Sequence, residues 1–329
     1  MRRLVPTAQV LIEGFRPGVM EAAGFSPDTL LGLNPKLVVV RISGFGQTGP
    51  YAQRPGFGSL IEAMSGFAAK NGFADKPPAL PNLALADMVA GLSGAFATLA
   101  ALRVAERPDG AGQVVDLSLL EPLHATLGPD AAIHRLTGRS PSRIGNRVSI
   151  TAPRNVYRTR DGEWLALSAS TQDMAARLFR AIGRPDMVDD PRFATNSARL
   201  DNVDAVDAIV GGFIKQRTLD EAIKFFEEEG VTAGPVYDIG QFLEDPHVQE
   251  RGIVVETPDD GKYFLKFYGP AATVTKHVDG FRKMVEGDPH AKDANGDPCP
   301  RKPWARTNIN VMIGRIRRVF KHAVENEMI

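Results

Sequence analysis

Cysteine is almost absent. Cys299 stands alone, so no intrachain disulfide is available and the fold has to be held by packing and hydrogen bonds. It lies in the polar run "DANGDPCPRKPW", and such sparing use of cysteine suits a reducing compartment. Net charge is lacking too, since 39 basic residues meet 39 acidic ones. A chain with no overall field is not steered towards nucleic acid or an anionic surface, which leaves a small molecule as the expected partner. Long hydrophobic runs are missing. The best candidate, Met88 to Leu102, is broken by Gly, Ser and Thr and falls short of the roughly 18–20 apolar residues of a membrane span. The opening "MRRLVPTAQVLIEGF" has no continuous apolar core of the signal-peptide kind. The expectation is a cytoplasmic protein with no membrane partner. The six histidines are scattered, with no H-x-x-x-H pair and no cysteine beside them, which argues against a metal site. No G-x-S-x-G elbow is present either, so a serine-hydrolase reading has no support.

What remains is an ordinary globular composition, 43% hydrophobic and 24% charged over 329 residues, enough for one large or two moderate domains. The first part alternates strand and helix. "QVLIE" reads as a short strand, Ser26 and Pro27 open a helix, and "KLVVVRISGF" is a β-branched run suited to a strand covered on both faces. Helices are expected from Ser59 to Met64 and from Asp87 to Ala105, separated by the Pro/Gly loop "KNGFADKPPALPN". "GAGQVVDLSLLEPLHATL" returns to a strand leading into a helix. Residues 137–155 read as a linker after a first domain of residues 1–136. Residues 156–258 then show a hairpin turned at Asp161-Gly162 and amphipathic helices with Thr starts and Gly stops, a smaller α+β domain. Residues 259–329 form an atypical extension ending in a basic helix.

Three segments carry candidate chemistry. "SGFGQTGP", Ser43 to Pro50, is a Gly-rich loop after a strand; it is either a structural turn or a set of backbone donors for a phosphate or oxyanion. "EGFRPG", Glu13 to Gly18, offers Phe15 to stack on a purine and Arg16 to pair with a phosphate, or simply a core ring beside a solvated cation. Asp87, in "LALADMVAGLSGAF", can be a helix N-cap. It can equally be a nucleophile held at a helix N-terminus among poorly solvating neighbours.

These segments together resemble the family III CoA-transferases, which include formyl-CoA and carnitine-CoA transferases and the α-methylacyl-CoA racemases. The landmarks come in order: "EGFRPG", "LNPKLVVVRISGFGQTGPY", "RPGFGSLIEAMSG", "LALADMVAGLSGAFATLAAL", "GRSPSRIGN", "DPRFATNSARLDN" and "GVTAGPVYDIGQFLEDPHVQERG". The resemblance implies an α/β fold, with a Rossmann-like large domain joined to a small α+β domain in an interlocked homodimer. It implies that Asp87 is the catalytic carboxylate, forming first an aspartyl-acyl anhydride and then an aspartyl-CoA thioester. It places Phe15, Arg16 and Arg54 on coenzyme A, and Gly44, Gly46, Gln47 and Phe57 in the active-site loops. No cofactor beyond the CoA thioester substrate and no metal is implied; the partners are an acyl-CoA and a carboxylic acid acceptor.

The family's racemases carry a histidine where Phe57 stands. A phenyl ring carries no proton, so transfer is favoured over racemisation. Gly14, Ala22 and Gly58 replace the family's usual Asn, Arg and Asp. The family also begins further upstream, so the large domain is expected to be incomplete at its N-terminus. "ARTNINVMIGRIRRVFKHAVENEMI" is similar instead to the core-binding segment of phage-type tyrosine recombinases. The alternatives to a transferase are an acyl-CoA racemase or isomerase, and an inactive remnant fused to a nucleic-acid-binding helix. No nucleic-acid partner is expected outside that helix.

Overall fold

The computed structural model describes residues 1–256 and the strand Tyr263–Leu265. Most of the C-terminal extension, with its recombinase-like segment, its basic helix and Cys299, therefore lies outside the described residues. The chain forms two compact units.

The first unit holds residues Met1–Ala69 and Leu80–Pro141. Its sheet has three parallel strands in the order β1 (Val10–Glu13), β2 (Val38–Ser43), β3 (Val114–Ser118). Two short helices, α1 (Val19–Ala22) and α2 (Pro27–Leu33), connect the first pair of strands. Ser26 caps α2 by accepting the Thr29 N–H at 3.2 Å, as the Ser-Pro start predicts. Strand β2 shows why its sequence is continuously apolar. Val39 packs with Val5, Met20, Leu30 and Leu37 on one face, while Val38 and Val40 meet Ala101, Leu102 and Ala105 on the other. Alternate side chains of a strand point to opposite faces, so a strand covered on both needs apolar residues at every position.

Between β2 and β3 come α3 (Gly58–Met64), α4 (Phe67–Lys70) and the long α5 (Leu85–Ala105). After β3 follow α6 (Leu120–Ala125) and α7 (Asp130–Thr137). The C-terminal turns of α5 cover the sheet. Its first turns pack Ala86 and Ala90 against Ile61 of α3 and Leu119 and Leu123 beside α6. Among the described residues this one helix, 21 residues long with mean hydropathy 1.6, is long and apolar enough to cross a membrane. It is longer than the Met88–Leu102 run because it starts two residues before Asp87 and ends at Ala105.

The second unit holds Lys70–Ala79 and Ser142–Gly252. The Pro/Gly segment 70–79 belongs here because Gly145 N–H donates to Gly72 O at 2.9 Å and Arg143 Nε to Phe73 O at 3.2 Å. An antiparallel sheet runs in the order β4 (Arg154–Arg158), β5 (Trp164–Ser168), β6 (Ala233–Pro235), with the β4–β5 hairpin turning at Asp161-Gly162. Helices α8 (Gln172–Ala181), α9 (Asn196–Asp201), α10 (Val203–Ile214) and α11 (Leu219–Glu228) supply most of its core, where Leu165, Leu178, Phe179, Val210 and Phe226 are buried. Arg199 is fully buried and ties the 190–202 segment in place, donating to Phe193 O, Ala152 O and Gln172 Oε1. Helices α12 (Ile239–Glu244) and α13 (Pro246–Glu250) follow. Strand β7 (Val254–Glu256), which is grouped with the first unit, pairs antiparallel with β8 (Tyr263–Leu265).

Candidate functional site

The first unit presents an open cleft of about 490 Å³ at the start of α5. Asp87 lines it, together with Phe57, Gly58 and Glu62 from the α3 side and Pro81 to Ala84 from the loop before α5. Asp87 is half-buried and sits in the first turn of the helix as its third residue. It is not the N-cap. That position is Ala84, whose side chain offers no acceptor. Of the two sequence readings of Asp87, the capping one is therefore not adopted. The helix dipole still favours a negative charge at this end.

The cleft holds two carboxylates, Asp87 and Glu62, and no histidine, lysine or arginine among its lining residues. His124 lies elsewhere in the unit, with Nδ1 3.0 Å from Ser65 O. Phe57 precedes α3 as its N-cap residue and is 75% exposed, a ring at the cleft wall with nothing to titrate. Gly58 lies close to the Asp87 carboxylate. A Cβ there would stand 2.5 Å from Asp87 Oδ2.

The Gly-rich loop is adjacent through backbone contact. Gly44 and Gly56 approach so closely that a Cβ on Gly44 would lie 2.7 Å from Gly56 Cα, which fastens "SGFGQTGP" to the strand of residues leading into Phe57. Gly46 takes a left-handed φ of 85°. It leads into Gln47, whose N–H donates to Asp116 Oδ1 and Oδ2 of β3 at 3.1 and 3.0 Å. Gln47's side-chain amide is buried with neither end paired among the described residues. Gly44, Gly46 and Gln47 do not themselves line the Asp87 cleft.

Phe15 and Arg16 emerge at the carboxyl end of β1, the end of a parallel sheet at which α/β folds bind ligands. Both are exposed. The loop is shaped by Glu13, which accepts the Phe15 N–H at 2.7 Å and pairs with Arg41 Nε at 2.8 Å. Arg54 stacks on the Tyr51 ring with its guanidinium carbon 3.7 Å from the ring centroid, and neighbouring Gln53 donates to Pro17 O at 3.4 Å. So the two loops that carry Phe15, Arg16 and Arg54 touch, and the structure brings those three residues to one rim. They form a group apart from the lining of the Asp87 cleft.

Sequence reasoning missed Glu62 and the ion-pair cluster behind the Phe15 loop. Arg41 bridges Glu13 and Glu21 with bonds of 2.8 Å to each. Burial pulls its pKa down, but the hydrogen bonds it donates to Glu13 and Glu21 outweigh that and hold it above the ordinary guanidinium value. The Arg41 hydrogen bond in turn holds the Glu21 carboxyl below its ordinary value, against some desolvation. The available signal was a lone arginine inside "VVVRIS", which a strand covered on both faces has to neutralise. Glu62 had a subtler one: it is four residues after Gly58, one helical turn along the same face. Among the described residues, no group of three or more His, Cys, Asp and Glu is placed to hold a metal ion.

Comparison with known proteins gives a consistent set of matches. Residues 1–280 match the family described as CoA-transferase family III. The succinyl-CoA–D-citramalate CoA-transferase of Chloroflexus aurantiacus is 37% identical over 277 residues, covering 84% of this chain and 69% of that protein. The succinate–glutarate CoA-transferase of Agrobacterium fabrum is 36% identical over 256 residues, with 78% and 64% covered. This chain thus spans about two thirds of the length of these relatives. A crystal structure of a CAIB/BAIF family protein from Brucella suis superposes with a TM-score of 0.67 at 31% identity, over 85% of this chain and 76% of that one.

Proposed function

Since this chain belongs to CoA-transferase family III, we propose that it passes coenzyme A from an acyl-CoA donor to a carboxylic acid acceptor, with Asp87 as the nucleophile. The observation that carries the reading is the Asp87 cleft: a half-buried carboxylate in the first turn of an apolar helix, lining an open space together with Phe57, Gly58 and Glu62. A carboxylate is a weak nucleophile in water, and a half-buried one held in the first turn of a helix is better placed to attack a bound thioester.

The chemistry runs in four steps. An Asp87 oxygen attacks the thioester carbonyl carbon, the C–S bond breaks, and CoA leaves as thiolate from an aspartyl-acyl anhydride. The thiolate attacks the aspartyl carbonyl, releasing the donor acid and leaving an aspartyl-CoA thioester. The acceptor carboxylate attacks that thioester, again expelling thiolate and forming a mixed anhydride. The thiolate then takes the acceptor's acyl carbon and regenerates Asp87. Every step exchanges a carboxylate for a thiolate, so no general acid or base is required, in keeping with the lining. A racemase needs a proton donor and acceptor on opposite faces of the α-carbon; Phe57 supplies neither.

The relatives' names point to succinyl-CoA as donor and a short dicarboxylic or hydroxy-dicarboxylic acid as acceptor. Phe15, Arg16 and Arg54, on touching loops at the carboxyl end of the sheet, are the residues to hold the nucleotide end of CoA, with the parallel sheet as part of a Rossmann-like large domain. The active protein is read as a homodimer. Met88, Leu92 and Phe96, spaced four apart on α5, are 45%, 72% and 77% exposed, an apolar stripe that suits burial in a second copy.

The test is to incubate the chain with succinyl-CoA and a dicarboxylic acid, follow the acceptor's CoA ester by mass spectrometry, and trap the intermediate with hydroxylamine. A hydroxamate at Asp87 is the expected product. Undiminished transfer by Asp87→Asn would overturn the reading.

A further inference from the structure

Helix α5 begins without a cap of its own, although its first turn bears Asp87. Ala84 precedes it and has no side-chain acceptor. The first N–H groups of a helix have no intrahelical partner and need one from outside. Here one partner comes from another helix. Glu62 of α3 accepts the Ala86 N–H through Oε1 at 3.1 Å. This is the one hydrogen bond of its carboxylate among the described residues, and Glu62 is only 2% exposed.

A neutral side chain would satisfy one N–H at lower cost, because burying a carboxylate is unfavourable. What matters is therefore the oxygen that Glu62 offers and the stretch of backbone it meets. Ala86 is the residue before Asp87, Glu62 lines the same cleft, and Gly58 lies one turn earlier on the same face of α3. Glu62 grips the backbone next to Asp87. Gly58 leaves empty the volume into which the Asp87 carboxylate projects, since a Cβ there would stand 2.5 Å from Oδ2.

We propose that Glu62 is a positioning residue for Asp87, acting through its hydrogen bond to the Ala86 N–H. The inference rests on the reading of Asp87 as nucleophile. Its physical basis is geometric. In-line attack on a thioester tolerates little displacement, and an uncapped first turn frays at the residues that must stay fixed. Capping from α3 has a second consequence. The N-terminal turn that bears Asp87 is thereby tied to α3.

The experiment uses the full chain, with succinyl-CoA and a dicarboxylic acid as the probe, and reads kcat, KM and the single-turnover rate of hydroxylamine-trapped adduct at Asp87. Glu62→Ala is expected to lower kcat and the adduct rate by about 10- to 100-fold. KM for succinyl-CoA should stay within about twofold, the mark of an effect confined to the reacting group. Glu62→Gln keeps an oxygen for the Ala86 N–H and should recover most of the loss. Glu62→Asp keeps the charge but withdraws the oxygen, and should behave like the alanine variant.

Wild-type rates in Glu62→Ala would overturn the proposal, as would a glutamine variant as slow as the alanine one in a folded protein. Should Glu62→Ala not fold, the glutamine and aspartate variants decide, with a fast aspartate and a slow glutamine counting against it. Failure of the underlying reading looks different: the wild-type chain itself would form no adduct at Asp87.

Discussion

Helix starts in the second unit and the start of α5 in the first obey different rules. In the second unit Thr171, Thr195, Thr218, Asp238 and Asp245 each accept an N–H from the helix they precede, so five of its six helices carry their own caps. Thr218 and Glu221 complete a reciprocal capping box. At α5 the preceding residue is Ala84, and the acceptor is a glutamate two helices away in sequence. Locally capped helices are stable on terms written into a few adjacent residues. The helix that carries the candidate nucleophile depends on a tertiary contact, which couples the position of its first turn to the packing of α3. Helices α3, α6 and α7 of the first unit also lack a side-chain cap from the preceding residue; α5 differs in taking its acceptor from a distant helix.

The most severe break in this comparison is Asp87→Asn. It removes the proposed nucleophile while leaving both kinds of helix start intact, and turnover should fall by on the order of 10³-fold or more, with the melting temperature little changed. Steady-state assay alongside thermal unfolding checks both halves. Next comes Arg41→Met, which strips the counter-charge from Glu13, only 4% exposed. Leaving a buried carboxylate uncompensated should cost about 3–5 kcal/mol, read by urea denaturation, with the Phe15 loop loosened because Glu13 also holds the Phe15 N–H.

A purely local change should be milder. Thr218→Ala breaks the capping box and should cost about 1 kcal/mol without altering kcat. A kinetic effect from it would show that the two classes of helix start are not separable. The smallest effect is a pH effect. Glu21 is held below its ordinary value of 4.5 by the Arg41 hydrogen bond. Its contribution is fully present above that ordinary value and is lost as pH falls through the lowered folded one. With its side chain 37% exposed, solvent screening keeps the contribution below about 1 kcal/mol. The stability difference between wild type and Glu21→Gln should therefore shrink as the pH is taken below 4.5.

Much of this was legible in the residues. The β-branched run of β2 announced a strand covered on both faces, and the threonine starts of α8 and α11 and the Asp161-Gly162 turn lie where their chemistry puts them. Asp87 stood out because a charge in "LALADMVAGLSGAF" is conspicuous. Its role within the helix was less legible: with no acceptor visible before α5, Asp87 itself was the natural candidate for the cap. The grouping of Phe15 and Arg16 with Arg54 depends on a loop contact made by Gln53, and no spacing encodes it.

What the sequence determined by itself is whatever acts over one turn or one strand: periodicity, local caps, tight turns, and the presence of a carboxylate at a helix start. The family resemblance adds the chemistry proposed for that carboxylate. Only the tertiary structure decided that Ala84 is the residue before α5, that Glu62 supplies the missing acceptor, and that Gly58 leaves room for the Asp87 oxygen. The reason is physical. A hydrogen bond or a steric gap depends on separation in space, and between Glu62 and Ala86 the chain leaves its own helix, turns through a loop and returns before the two atoms meet.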